Sequence, residues 1–128
     1  LIIDDHPLVS DGVAAMVKDV PYLNISGACK SGKEALAFLS ENKPDIILLD
    51  INMPLMNGLE FLSELRTDPE LKDIHVCVLT TSEDDSDVKT AYEFNVAGYF
   101  IKPLNISDFD DRFLYLNGYW QRNCFPVQ

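Results

Sequence analysis

The stretch Asp45-Ile-Ile-Leu-Leu-Asp50-Ile-Asn-Met-Pro-Leu-Met-Asn-Gly58 limits the possible folds more than any other part of the chain. Ile46 to Leu49 is an unbroken apolar run that stops at a carboxylate, Asp50. Pro54 and the pair Asn57-Gly58 then punctuate a loop. An apolar run without alternation, bounded by turn signals, predicts a strand buried on both faces, as in the middle of a parallel sheet. In open α/β sheets the ligand crevice lies outside the carboxyl ends of the strands. Asp50 therefore stands where chemistry is expected.

The rest of the chain repeats this pattern. Leu1 to Asp5 reads as a short strand ending in Asp4-Asp5. Pro7 suits a first helical turn, and Val9, Val13, Met16, Val17 and Val20 follow at helical spacing up to Pro21. Leu23 to Cys29 predicts a second strand. Ser31 with Glu34 is a capping box, opening a helix through Ala35, Leu36 and Leu39 to about Asn42. After the Asp50 strand, Leu59, Leu62 and Leu65 form one helical face that ends near Thr67, with the break at Asp68-Pro69. His75 to Thr80 is a fourth strand, and Glu83 to Asp87 leads into a helix with Val88, Ala91 and Tyr92 that Asn95 ends. Ala97 to Ile101 is a fifth strand, closed by Lys102-Pro103. Asn105 caps a last helix with Ile106, Phe109, Phe113, Leu116 and Trp120 on one stripe, and the phase of Trp120 favours continuation past Gly118.

Five strands alternating with five helices predict an α/β fold, a parallel sheet with helices on both faces. Right-handed crossovers place all the strand carboxyl ends on one edge. At 128 residues this is one domain with a single core, residues 1–128, and no second domain is expected. Leu1 already lies inside a strand pattern, so a start Met and a few residues are expected to precede it. The formal charge of −11 argues against direct nucleic-acid binding, which needs clustered Lys and Arg. No apolar run approaches a membrane span. Cys29, Cys77 and Cys124 are widely spaced, without a zinc pattern, and fit a reducing cytosol.

The strand ends deliver Asp4 and Asp5, Asp50, Thr80 and Lys102 to one shallow site. Carboxylates crowded together repel one another, and a hard divalent cation with oxygen ligands, such as Mg²⁺, resolves the repulsion. Lys102 adds a second positive charge and Thr80 a hydroxyl. Cation, ammonium and hydroxyl around one carboxylate make a cradle for a phosphoryl group, whose transfer depends on in-line positioning and charge neutralisation. Asp50 would be the nucleophile.

Asp4-Asp5, Asp50 followed by Met53-Pro54 and Gly58, Thr80 and Lys102-Pro103, in this order, closely resemble the receiver domain of two-component response regulators, chemotaxis-regulator-like and single-domain. The resemblance implies a flavodoxin-like, doubly wound sheet of order 2-1-3-4-5. It implies Asp50 as phosphoacceptor from a histidine kinase or histidine phosphotransfer protein. Mg²⁺ would be held by Asp5, Asp50 and the Asn52 main-chain carbonyl, with Asp4 acting through water. Lys102 would pair with the phosphoryl group or, without it, with a carboxylate, Thr80 would be the switch hydroxyl and Tyr99 the aromatic that follows it. It further implies a cis Lys102-Pro103 bond, and side chains at Asn52 and Ser82 that tune phosphoryl lifetime. The chain would be a cytoplasmic signalling domain that assists its own phosphorylation and dephosphorylation. Its output would be a protein partner or homodimer contact on the fourth helix, fifth strand and last helix.

Blander readings compete at several positions. Tyr99 also reads as a sheet packing residue, the switch role resting on the family analogy. His6 reads as a loop residue rather than a ligand or phosphodonor, His75 has no role, and Asp84-Asp85-Ser86-Asp87 suits a solvated helix start. Tyr115 and Tyr119 are either a docking surface or edge aromatics. A phosphohydrolase of the haloacid-dehalogenase type also uses a strand-end Asp with Mg²⁺, but carries a second Asp where this chain has Asn52. A nucleotide binder would need a phosphate loop, and no such Gly-rich pattern is present.

Overall fold

A computed structural model describes residues 1–18 and 20–102. The elements run β1 (Ile2–Ile3), α1 (Pro7–Val17), β2 (Ala28–Cys29), α2 (Gly32–Leu39), β3 (Ile46–Leu49), α3 (Gly58–Thr67), β4 (His75–Thr80), α4 (Asp85–Glu93) and β5 (Gly98–Ile101). The five strands are parallel, in the expected order β2-β1-β3-β4-β5. The expected last helix from Ile106 to Trp120, the cis Lys102-Pro103 bond and the Tyr115 and Tyr119 surface lie outside the described residues.

Period-two alternation along the strands sorts the core into two layers. Ile3, Ile47, Leu49, Val76 and Val78 face one side, packed with Ala35 and Leu39 of α2, Phe61, Leu62 and Leu65 of α3, and Ala91 of α4. Ile2, Leu48, Cys77 and Leu79 face the other, with Val9 and Val13 of α1. Burial on both faces is why these strands read as continuous apolar runs.

Several details differ from expectation. β2 is Ala28–Cys29 rather than Leu23 to Cys29. It is an edge strand, its only ladder partner is the two-residue β1, and Gly27 makes the last contact by accepting from Ile2 N–H at 3.0 Å. α1 stops at Val17 rather than Val20, and a residue that precedes a proline, as Val20 does, is disfavoured in the α region. At the start of α2 only half of the capping box forms, with Glu34 N–H donating to Ser31 Oγ at 3.1 Å. The complete box belongs to α3, where Asn57 and Glu60 each accept from the other's backbone N–H, at 2.9 and 3.2 Å.

Arg66, which the sequence pattern does not single out, ties α3 to both neighbouring loops. Its Nε donates to Phe94 O at 2.7 Å, Nη1 to Lys72 O at 2.8 Å and Ile74 O at 2.7 Å, and Nη2 to Asn95 O at 3.3 Å. One guanidinium thus satisfies carbonyls at the start of β4 and the end of α4. Asn95 supplies the left-handed residue (φ 58°) that closes α4, a conformation Asn tolerates.

Candidate functional site

The ladder carries one residue past β1, β3 and β5, to the level of Thr80 at the end of β4, and so builds the site. Asp4 N–H donates to Cys29 O at 2.9 Å, Asp50 N–H to Ile3 O at 2.9 Å, and Lys102 N–H to Thr80 O at 2.7 Å. These bonds hold Asp4, Asp50, Thr80 and Lys102 in register at the carboxyl edge. Among the described residues the buried polar or charged side chains are these four. Burying charge is costly without pairing, and the pairing is present. Lys102 Nζ lies 2.8 Å from Asp4 Oδ2 and 3.1 Å from Asp50 Oδ2.

Asp5 is half-buried beside them, and its Oδ1 is a buried atom with no hydrogen-bond partner. Three acidic side chains against one lysine leave two formal negative charges uncompensated in a small volume. One ligand atom each from Asp4, Asp5, His6 and Asp50 falls within 4.8 Å of the others. An orphaned carboxylate oxygen within such a set fits a divalent cation.

The loop after β3 is shaped by close contact. Asn52 N–H donates to Asp50 Oδ1 at 3.2 Å, and Asn52 Nδ2 donates to Thr81 Oγ1 at 3.4 Å. Gly58 N–H donates to Ile51 O at 2.9 Å. A Cβ at Gly58 would stand 2.3 Å from Asp50 O and 2.8 Å from Ile51 Cα, so the position admits only glycine. Leu55, at the loop tip, is fully exposed with φ 69°.

A second set of contacts links Thr80 to Tyr99. Ser82 N–H donates to Thr80 Oγ1 at 3.3 Å, and Tyr99 OH donates to Ser82 O at 2.8 Å. Ser82 Oγ donates to Asp87 Oδ2 at 2.6 Å. Burial pushes the Tyr99 phenol above its ordinary pKa. Tyr99 therefore touches the loop after β4 as well as packing against the core. Within the acidic run, Asp84 caps α4 by accepting from Ser86 N–H at 2.8 Å, and the Ser86 hydroxyl first, with that backbone bond second, holds its carboxyl below the usual range. Asp87 has the further role of fixing Ser82.

His6, a loop residue rather than a ligand from the sequence pattern, stands beside the site. It occupies the loop position expected, as N-cap of α1, with its side chain 64% exposed. Its Nδ1 nevertheless lies 3.2 Å from Asp4 Oδ1 and 3.1 Å from Asp5 Oδ1. The adjacency Asp4-Asp5-His6 before Pro7 was the available signal. His75 lies at the opposite end of its strand, where burial and the Arg66 charge lower its pKa.

This fold and this cluster of strand-end residues define a class. The family model of the response regulator receiver domain matches residues 1–113. The nitrate/nitrite response regulator protein NarL of Escherichia coli K12 is 36% identical over 108 residues, 84% of this chain and 49% of that protein. The response regulator GacA of Pseudomonas aeruginosa is 34% identical over 108 residues, 84% of this chain and 50% of that protein. The Mn²⁺-bound form of response regulator Rcp1 superposes with a TM-score of 0.90 at 30% identity, covering 98% of this chain and 96% of that one. The chain spans about half the length of these curated relatives. It belongs to the response regulator receiver family of two-component signal transduction. It is a signalling domain, and the phosphohydrolase alternative is not supported.

Proposed function

We propose that Asp50 accepts a phosphoryl group from the phosphohistidine of a sensor kinase or phosphotransfer protein. The observation that carries this is Lys102 Nζ lying between the buried carboxylates of Asp4 and Asp50. A buried Asp whose counter-charge is a flexible ammonium can exchange that partner for an incoming phosphoryl oxygen. An Asp50 carboxylate oxygen attacks phosphorus, the phosphorus–nitrogen bond breaks, and its electron pair returns to the donor imidazole. Lys102 then swings from carboxylate to phosphoryl oxygen, and the Thr80 hydroxyl donates to a second oxygen.

Asp5, Asp50 and the Asn52 main-chain carbonyl would hold Mg²⁺, with Asp4 contributing through water. The cation supplies charge neutralisation on the transferring group. The orphaned Asp5 Oδ1 supports this metal reading, and Rcp1, a relative in structure, is known in a Mn²⁺-bound form. Asn52 and Ser82 would set the phosphoryl lifetime.

Movement of Thr80 pulls on Ser82 N–H, and Ser82 O is the acceptor of Tyr99 OH. This chain of contacts couples phosphorylation to the face formed by α4 and β5, where a partner protein or second copy would dock. Residues 1–128 would act as one receiver unit, supported by the family match over 1–113. A cytoplasmic location fits this role, and among the described residues no helix is long and apolar enough to cross a membrane.

The test is incubation with Mg²⁺ and acetyl phosphate followed by intact mass. The expected result is one added phosphoryl group, absent in Asp50→Asn. Equal uptake by that variant would overturn the assignment.

A further inference from the structure

His6 places a nitrogen among oxygens. Its Nδ1 lies within hydrogen-bond reach of two carboxylates, 3.1 Å from the buried Asp5 Oδ1 and 3.2 Å from Asp4 Oδ1. Neighbouring ligands of an octahedral ion with ~2.1 Å bonds lie about 3 Å apart, so the Asp5 and His6 atoms already have the spacing of two adjacent ligands. The backbone that carries the ring is also held in place. His6 N–H donates to Asp4 Oδ1 at 2.9 Å, and Pro7 follows at the first turn of α1, which fixes the backbone on both sides of the imidazole.

We propose that His6 Nδ1 is an additional ligand of the cation site, giving this receiver a mixed nitrogen and oxygen donor set that takes borderline transition metals such as Ni²⁺, Co²⁺ or Zn²⁺ in preference to Mg²⁺. This rests on the reading that Asp5 and Asp50 hold a divalent cation. Neutral imidazole with the proton on Nε2 presents a lone pair at Nδ1. Imidazole suits nickel, copper and zinc, whereas carboxylate, carbonyl and water suit magnesium. His6 therefore adds affinity selectively. Mg²⁺, which keeps its waters, gains little from it. The exposed outer part of the ring leaves the site open towards solvent and a phosphoryl donor.

The experiment is calorimetric titration of the whole chain with Ni²⁺ and, separately, with Mg²⁺, for the wild type, His6→Ala and His6→Gln. Loss of a ligand should cost at least as much as loss of an outer partner, so Ni²⁺ affinity is expected to fall at least about tenfold in both variants. Mg²⁺ affinity is expected to stay within about twofold, since imidazole is a poor magnesium ligand. With Cu²⁺ as probe, pulsed electron paramagnetic resonance should show imidazole nitrogen couplings that disappear in His6→Gln. The chain has two histidines, and the variant separates His6 from His75. A parallel fall for both cations would mean that the loop was disturbed, and an unchanged Ni²⁺ affinity that His6 does not ligate. Either overturns the inference. A wild type that binds no Mg²⁺ at all would instead overturn the cation reading beneath it.

Discussion

Lys102 Nζ stands 3.1 Å from Asp50 Oδ2, and both side chains are buried. The same ammonium is 2.8 Å from Asp4 Oδ2, so one cation serves two buried carboxylates. Removing it strands both. Lys102→Met is expected to lose about 3–5 kcal/mol of stability, the range for breaking a buried ion pair from one side. Saturating Mg²⁺ should restore part of this loss, because it supplies the missing charge. Urea unfolding with and without Mg²⁺ checks both statements.

Gly58 controls the loop that leaves Asp50. Any Cβ there meets main-chain atoms, Asp50 O and Ile51 Cα, which have no side-chain rotamer to change. Gly58→Ala is therefore expected to cost about 1–3 kcal/mol by overpacking. It should also slow phosphoryl uptake, because relief of the clash moves the Asp50 backbone. A stable variant with wild-type uptake from acetyl phosphate would count against this account of the turn.

The Asp50 site was legible because a strand's last residue is a local property. An apolar run fixes where a buried strand ends, parallel pairing brings the ends together, and the residue after each run is the one delivered. Asp4, Asp50 and Lys102 follow from that logic and Thr80 ends its own strand, and all four are more deeply buried than the shallow site expected. The His6 ring, the Ser82 to Asp87 bond and the Arg66 clamp depend instead on loop paths and on where long side chains reach. Those are set by tertiary packing, which periodicity does not encode. The shortness of β2 has the same origin, since an edge strand pairs only as far as its neighbour extends.

Arg66 should matter for stability although it is remote from Asp50. Its hydrogen bonds to the carbonyls of Phe94, Lys72, Ile74 and Asn95 need a planar fork of donors, and burial lowers the guanidinium pKa, with the Asp73 charge opposing that. Arg66→Lys cannot reproduce the fork. A loss of at least about 2 kcal/mol is expected, given that hydrogen bonds from charged groups contribute about 1.5–3 kcal/mol each. Urea midpoints would show it, with the circular dichroism of the native state unchanged.

His75 predicts a pH dependence. Burial first, and the Arg66 charge second, hold its pKa below the ordinary 6.5. The unfolded chain thus takes up this proton before the folded one as pH falls. Stability carried by the neutral folded imidazole is complete above 6.5 and declines below it, until the folded group protonates as well. His75→Gln should flatten the fall in Tm between about pH 7 and pH 5. An equally steep fall in the variant would assign that pH dependence to other groups.

The position of the phosphoryl group is the most direct measurement. Borohydride converts an aspartyl phosphate to homoserine, which peptide mass spectrometry locates. After treatment with Mg²⁺ and acetyl phosphate, homoserine is expected at position 50, with Asp4 and Asp5 unmodified. Homoserine at Asp4 or Asp5, or stable phosphate uptake with Asp50 intact, would contradict the assignment of Asp50 as phosphoacceptor.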